Sequence, residues 1–513
     1  MIETKNEWTP ETIFRQYEAG KAYHRQIGFC ERARENERFF RGDQWNGTPP
    51  KGLPCPVFNV IRRTVHYLVS TVLANRLYVR YSADALPYVQ SAEHAARYAD
   101  SIAACNRYFQ FRWERNHMDA LLREGLFDAA LTGDAVFYTY WDPTVPTGQP
   151  FAGDFVTERV DATQLFVADV TKDDLQSQEY VILAGRAPVS RLRREAAACG
   201  CGAETIAAIV ADDAEDAESE TEDRDAQKAT YLIRFYRRSD GKISFDRAVR
   251  GALIQHADTG LTRYPIAYFH WDPTKHSYHG CAPVSGMIQN QKYINKAYAM
   301  VMKHMMDTAF SKVIYDKKRI PEWSNEVGQA IGILGGDVNG AVTTVGVGEL
   351  QACYLDVIKM TVSQTKELAG ATETALGEGA ANNTSAILAM REAAVLPLEN
   401  VRARLCRCVE ELALIFADMM CEYYGAGRLL AFEDQDGMHR ESCDFSALRG
   451  LLLRAKVEVG SGIRLTQSAQ MAVLDKLLDG GYITLAQYVA RLPDGMLAER
   501  DALLEEIQRK KEE

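Results

Sequence analysis

Residues 283–310 have the sequence PVSGMIQNQKYINKAYAMVMKHMMDTAF, and residues 350–368 have the sequence LQACYLDVIKMTVSQTKEL. In both stretches the apolar residues recur at steps of three and four, which is the spacing of one helix face. At 1.5 Å per residue, the first stretch predicts a helix of about 42 Å. The segment between them is rich in glycine and has the alternation of a β-strand around 342–347. Together they predict a helical hairpin that carries a small mixed module.

The sequence after the second helix consists of small and polar residues. GATETALGEGAANNTSA, residues 370–386, disfavours a helix through Gly377 and Gly379, so we predict a loop there. A helix is predicted to follow from Ala386 to Tyr424. Pro397 lies inside it and predicts a kink, because proline removes a backbone hydrogen bond and clashes with the carbonyl four residues earlier.

The N-terminal half has mixed character. A charged helix is predicted over Glu11–Phe40, and NVIRRTVHYLVSTVL, residues 59–73, predicts a buried helix. Helices over Ser91–Phe111 and Glu114–Leu131 are followed by strand-like runs that extend to about His270. We therefore predict an α+β, mainly helical protein whose first 270 residues form one α+β domain.

Composition restricts the possible functions. The net charge of -11 argues against a protein that grips DNA broadly, because such binding relies on lysine and arginine. No uninterrupted apolar run is long enough for a membrane span, and the N-terminus lacks the pattern of a secretory signal. The 11 cysteines are expected to be reduced, mostly buried thiols, because their spacing fits no zinc site. We expect the protein to be synthesised in the cytoplasm and not to associate with a membrane.

Motifs for catalysis are missing from the sequence. It contains no P-loop, no HExxH and no GxSxG. The histidines His270, His276 and His279 could converge on a metal, but the surrounding Pro and Gly favour ordinary turn chemistry. The acidic segment Asp212–Asp225 is predicted to be a solvated surface loop, with a ligand or partner site as the alternative. We predict no catalytic residue, no cofactor and no metal.

The order of these parts resembles the portal proteins of tailed bacteriophages along most of the chain. The similar stretches are FFRGDQW, NVIRRTVHYLVSTVL, GCAPVSGMIQNQKYINKAYA, TETALGEGAANNTSAILAMREAAVLPLENVR and GGYITLAQYVARLP. Each is weak alone, whereas their order and spacing are more specific. Few folds need a long antiparallel helix pair, a capping insert, a flexible loop and a proline-kinked helix in succession.

The resemblance implies a portal fold with named parts. These are a wing (1–270, with acidic loop 212–225), a stem helix (283–310), a clip (311–349), a second stem helix (350–372), a tunnel loop (373–385), a kinked long helix (386–424), a return to the wing (425–465) and a helical crown (466–513).

The resemblance also implies a function. About twelve subunits would form a closed dodecameric ring, the DNA channel at one capsid vertex, for genome packaging, retention and ejection. The implied partners are the terminase large subunit, the major capsid and scaffolding proteins, a head-tail adaptor and double-stranded DNA. The implied location is the portal vertex of the virion, after synthesis in the host bacterial cytoplasm.

Two groups of residues carry the implied contacts. Those lining the DNA channel are Glu373, Thr374, Gly377, Glu378, Gly379, Asn382, Asn383, Thr384 and Ser385. Those docking terminase or the adaptor are Lys317, Lys318, Arg319, Glu322 and Trp323. Charges there could steer a partner and the tryptophan could bind it, although Trp323 could equally pack between clips of adjacent subunits.

Two other classes of protein remain as alternatives. A nuclease-type enzyme of the packaging machinery should show convergent carboxylates with a lysine near a strand end, and no such group occurs outside the acidic segment. A connector or adaptor protein is the other alternative, but adaptors are usually much shorter than 513 residues.

Overall fold

The computed structural model describes most of the chain. The described residues are 9–45, 52–74, 77–83, 92–147, 152–212, 227–309, 312–323, 331–337, 340–345, 353–368, 370–371, 384–434, 437–451, 453–459 and 474–491. About half of the structure is helical, and the remainder combines strands and loops, as in an α+β fold. The chain divides into two compact units, residues 1–74 with 79–457 and residues 75–78 with 458–513.

The N-terminal segment forms two helices, so the prediction of one helix over Glu11–Phe40 was wrong. Helix α1 spans Pro10–Ile27 and helix α2 spans Phe29–Arg41. Between them Gly28 has φ of 62°, the left-handed conformation that ends a helix and that glycine adopts most readily. The apolar spacing continues across this turn, which is why periodicity alone did not reveal the break.

The next elements form a helical layer. They are α3 (Val60–Val72), strand β1 (Leu77–Ala83), α4 (Ala92–Arg115) and α5 (Met118–Thr132). The side chain of Asn59 caps α3 by accepting the Arg62 N–H. The buried residues of α3 recur at three- and four-residue steps, as expected for a helix that buries one face.

Two antiparallel sheets follow. The elements are β2 (Asp134–Asp142), β3 (Asp154–Val160), β4 (Leu165–Val167), β5 (Tyr180–Pro188), α6 (Val189–Ala198), α7 (Ala203–Ala207), β6 (Lys228–Arg237), β7 (Ile243–Val249), β8 (Ala252–Asp258) and β9 (Ile266–His270). One sheet has the strand order β3-β2-β9, and the other has the order β4-β5-β6-β7-β8. Helix α1 packs on the five-stranded sheet, where Ile13 and Phe14 contact a core that includes Phe166 and Leu232.

The middle of the chain contains the helical hairpin. Its elements are β10 (Asp272–Pro273), β11 (Gly280–Cys281), α8 (Pro283–Ala309), β12 (Lys312–Tyr315), β13 (Val342–Val345) and α9 (Cys353–Leu368). Strands β12 and β13 pair antiparallel, with Lys312 opposite Val345 and Tyr315 opposite Val342.

The long helix and three strands complete the larger unit. They are α10 (Thr384–Met419), a π-helical turn (Met420–Tyr424), β14 (Ala426–Asp434), β15 (Gly437–Asp444) and β16 (Leu453–Val459). Strand β14 pairs with β15, and β16 pairs with β1. Within the smaller unit, α11 (474–479) and α12 (Leu485–Ala490) flank Gly480 and Gly481. Thr484 and Gln487 form a reciprocal capping box at the start of α12.

A buried ionic network joins α4, β3, the π-helical turn and β14. Arg112 Nη1 lies 2.6 Å from Asp154 Oδ2, and both side chains are only 2% exposed. Arg112 also donates to the Phe155 carbonyl, and the Tyr424 hydroxyl donates to Asp154. Burial raises the pKa of Tyr424 well above its ordinary value, so the hydroxyl keeps its proton. Arg428 stacks on the Tyr424 ring, with its guanidinium carbon 3.8 Å from the ring centroid.

All 11 cysteines are free thiols, but the expectation that most are buried was wrong. Only Cys105, Cys408, Cys421 and Cys443 are buried. Cys30, Cys55, Cys201 and Cys406 are partly buried, and Cys199, Cys281 and Cys353 are exposed.

Candidate functional site: the helical hairpin and its capping module

Helix α8 is fixed to the helical layer by buried amides. The Val60 N–H donates to Gln291 Oε1 at 3.0 Å, and Gln291 Nε2 donates to the Phe58 carbonyl at 2.7 Å. Asn295 Nδ2 donates to Gln44 Oε1 at 2.7 Å. Buried amides hold position well because leaving one of their groups unpaired would cost about 1–3 kcal/mol. The base of the hairpin is therefore held rigidly.

The outward faces of the hairpin carry many exposed apolar side chains among charged ones. On α8, Tyr293 and Met300 point away from the buried stripe, and Met300 is 67% exposed. On α9 only Ile358 and Thr365 are buried, whereas Met360 is 54% exposed. Further exposed apolar side chains on the two helices are Met305, Met306, Tyr354, Leu355, Val357 and Leu368. A concentration of exposed apolar residues of this kind marks an interaction surface.

A notch lies beside this face, between the start of α3 and the two hairpin helices. Phe58, Val60, Tyr298 and Val362 are among its lining residues, and its volume is about 310 Å³. The rings of Phe58 and Tyr298 lie with their centroids 4.1 Å apart. Arg63 and Lys366 also line the notch, so apolar and basic side chains of the hairpin and the helical layer meet there.

The described part of the capping module is held together by Arg319. Its Nε donates to the Gly335 carbonyl at 3.2 Å, and its Nη2 donates to the Asp337 carbonyl at 2.6 Å. Ile320, the next residue, is fully buried. Arg319 therefore has a structural role in this module, beyond the partner contact predicted from the sequence.

The other predicted docking residues surround this turn. Lys317, Lys318 and Glu322 are exposed. Trp323 is half-buried, and its ring stacks on Tyr315 of the same chain at a centroid distance of 5.2 Å. One face of the tryptophan is thus already occupied within the chain.

The long helix α10 is fixed to the rest of the larger unit by charged side chains. Arg402 Nη2 donates to the Thr71 carbonyl of α3 at 3.0 Å. Arg263 Nη1 lies 2.9 Å from Glu411 Oε1, and Asp418 accepts the Thr262 N–H at 2.7 Å. Burial raises the pKa of Glu411, and the Arg263 guanidinium opposes that increase. These contacts fix the C-terminal part of the helix.

Most residues of the predicted tunnel loop lie outside the described residues. These are Glu373, Thr374, Gly377, Glu378, Gly379, Asn382 and Asn383. Thr384 and Ser385, which were assigned to that loop, instead form the first residues of α10. Pro397 lies inside α10. Of the acidic segment only Asp212 is described, and its carboxylate accepts the Thr230 N–H at 3.0 Å, near the start of β6.

Two of the three histidines noted in the sequence converge on one buried carboxylate. His279 Nδ1 lies 2.7 Å from Asp134 Oδ2, and His270 Nδ1 lies 3.2 Å from Asp134 Oδ1. His276 is exposed in a turn with φ of 59°. In the part of the chain that the structure describes, no group of three or more His, Cys, Asp or Glu is placed to hold a metal ion. His24 also joins this cluster, and its sequence context in α1 gave no signal of that role.

Part of the chain is similar to a known protein family. Residues 215–443 match the family model of the phage P22-like portal proteins. The match covers a little under half of the chain, and it includes the five-stranded sheet from β6 onward, the hairpin, the capping module and α10. The resemblance to portal proteins is confirmed over these residues.

A solved structure can be compared along a greater length. The structure titled "Virion of native gene transfer agent (GTA) particle" covers 90% of this chain and 92% of that chain, with 11% identity and a TM-score of 0.39. A match at that level supports no conclusion about function. No curated protein matches the sequence. Among the described helices, none has the length and apolar character that a membrane crossing requires.

Proposed function

We propose that this chain is the subunit of a phage portal ring, which forms the DNA channel at one vertex of the capsid. The observation that carries the proposal is the match of residues 215–443 to the portal family, whose members are structural rather than catalytic proteins. The proposed role is therefore structural, and its location is the virion.

The hairpin supports assembly with further copies of the chain. Its uncovered apolar residues lie on both α8 and α9, so one copy offers two different surfaces. An interface between unlike surfaces forms a ring when its rotation closes, whereas an interface between identical surfaces stops at a dimer. The resemblance to portal proteins makes about twelve subunits the expected number.

Mass photometry of the purified protein tests the proposed assembly. We expect one dominant species of about twelve times the 57.4 kDa chain mass. A monomer or dimer at every accessible concentration would contradict a portal ring.

The remaining parts of the chain have proposed roles within this ring. The α+β region to residue 270 and residues 425–465 would form the wing, and the hairpin helices the stem. Residues 466–513 would form the crown. Residues 373–385 would line the channel, where Glu373 and Glu378 repel phosphates and so favour sliding of DNA over binding. Pro397 would kink α10 beside this loop.

The capping module would be the clip, on which the terminase large subunit and later the head-tail adaptor dock. Lys317 and Lys318 are exposed on its turn, so they can steer an acidic partner by long-range attraction. The major capsid and scaffolding proteins would surround the ring elsewhere. Trp323, which is half-buried, would lie within the same docking surface.

Replacing Lys317 and Lys318 by alanine is expected to leave rings intact but slow the association of terminase by about tenfold at low salt. Surface plasmon resonance at several salt concentrations measures this effect. Arg319 must be left in place, because its two carbonyl contacts hold the module together.

The matched control is Lys275→Ala, which removes an exposed lysine outside the module and should leave the rate unchanged. If the variant lacking Lys317 and Lys318 binds terminase at the wild-type rate, these lysines are not the docking charges.

A further inference from the structure

A continuous chain of hydrogen-bonding side chains lies where α1 and α2 meet the turn before α8. His24 Nε2, on α1, lies 2.9 Å from His279 Nε2 and 2.7 Å from the Tyr278 hydroxyl oxygen. His279 Nδ1 in turn lies 2.7 Å from the carboxylate of Asp134, which is completely buried. The second carboxylate oxygen accepts the Gly280 N–H at 2.7 Å.

Only one hydrogen fits between the two Nε2 atoms. At 2.9 Å one nitrogen must donate and the other must accept. Asp134 accepts the Nδ1–H of His279, so the proton between the rings is the one that can vary. A neutral His279 accepts from His24, and a protonated His279 donates to a neutral His24. When both rings are protonated, two N–H groups face each other and the contact has to open.

The surroundings strengthen this restriction. His24 is almost fully buried between the rings of Phe29 and Phe166, at centroid distances of 5.2 and 4.8 Å. The titratable groups that face the cluster are Tyr23 from α1, Cys30 from α2, Asp134 from β2, Tyr268 and His270 from β9, and Tyr278 and His279 from the turn. Burial raises the pKa of Tyr268 and of Tyr278, so both remain neutral.

The charges around the two histidines favour one imidazolium and disfavour two. Burial alone would raise the pKa of Asp134, but hydrogen bonds from His270 and His279 outweigh it and hold that pKa below its ordinary value. One carboxylate can therefore compensate one imidazolium. A second imidazolium, on His24, would lie in an apolar site beside a like charge.

We propose that His24 and His279 form a proton-operated contact that holds the α1–α2 corner against the turn before α8 and opens when both imidazoles are protonated. The turn is followed directly by Pro283, the first residue of α8. The contact thus links the N-terminal helices to the base of the hairpin, and acid weakens that link. This contact lies within the single chain and is independent of the proposed portal role.

The direction and size of the effect follow from the titration of His24. Burial lowers the pKa of His24 from 6.5 to about 3, and His279 lowers it in the same direction, whereas Asp134 opposes the change. The open form therefore binds a proton that the closed form does not. The closed contact is fully favoured above pH 6.5 and loses stability as the pH falls from there towards 3. Between pH 7.5 and 5 the equilibrium for opening should shift by about 30-fold.

Hydrogen exchange on the full-length protein tests the proposal. In the wild type we expect the protection of amides at residues 24–30 and 278–282, corrected for the intrinsic exchange rate, to fall about 30-fold between pH 7.5 and 5. In His24→Gln, which can donate to His279 but does not titrate, the protection should no longer depend on pH. The matched control is His276→Asn, which removes the exposed imidazole of the same loop at a position whose positive φ asparagine tolerates.

If His24 had only a structural role, its replacement would lower amide protection equally at all pH values. The dependence of protection on pH therefore distinguishes the two roles. His24→Phe is a second variant that does not titrate and fills the space between Phe29 and Phe166. The proposal is overturned if the wild type shows no decrease in protection. It is equally overturned if either folded His24 variant keeps the wild-type decrease, or if His276→Asn abolishes it.

Discussion

Replacing Met300 and Met360 by glutamate is expected to abolish ring assembly while leaving the monomer folded. Both side chains are more than half exposed in the single chain, so the change should alter the free energy of unfolding of the monomer by about 0.5 kcal/mol or less. In an interface between copies, each glutamate would be buried without a partner, which costs far more than the apolar contact contributed. Size-exclusion chromatography with light scattering measures the loss of the large species.

Two leucine variants distinguish the loss of apolar contact between copies from a general disturbance of the structure. Met300→Leu and Met360→Leu keep the apolar character and approximate volume, so they should assemble like the wild type. Full-size assemblies from the double glutamate variant would show that the outward face of the hairpin is not the interface. Loss of assembly in the leucine variants would indicate that these positions do not act through apolar contact alone.

Replacing Arg112 by methionine is expected to lower the free energy of unfolding by about 3–5 kcal/mol. The change leaves the buried Asp154 without its closest cation, and breaking a buried ion pair on one side exposes the full cost of the remaining charge. Arg428, whose Nη2 lies 3.7 Å from the same carboxylate, compensates only in part. Urea denaturation at one fixed protein concentration measures the effect, since assembly adds to the apparent stability.

Arg115→Met is the control for this variant. Arg115 lies at the end of the same helix, is exposed and donates only to the Pro146 carbonyl among the contacts described. Its replacement should change the free energy of unfolding by about 0.5 kcal/mol or less. An Arg112→Met protein within about 1 kcal/mol of the wild type would mean that the buried network contributes little to the stability of the fold.

Elements with strong periodicity could be predicted from the sequence. The run DFVTERV coincides with β3, and the helical spacing in residues 283–310 corresponds to α8, which spans Pro283–Ala309. These patterns are visible because each element buries one face against a neighbour, and burial selects apolar residues at the period of the backbone. The hairpin of β14 and β15 was not predicted from the sequence.

Contacts between distant residues could not be predicted. His24, Asp134 and His279 come from three separate parts of the chain, and no local pattern indicates that they meet. The same holds for Arg112, whose burial depends on Asp154 of another element. A single charged residue on a helix is usually solvated, so only the fold reveals which ones are buried. Arg319 was likewise predicted as a docking charge because its carbonyl partners lie about 16 residues along the chain.

Electron microscopy of the purified protein in negative stain shows directly whether the chain forms a closed ring around a channel. We expect uniform rings with rotational symmetry and a central hole, formed without any other phage component. Compact single particles of about 57.4 kDa, or open filaments and irregular aggregates with no central hole, would contradict the assignment of this chain to a portal ring.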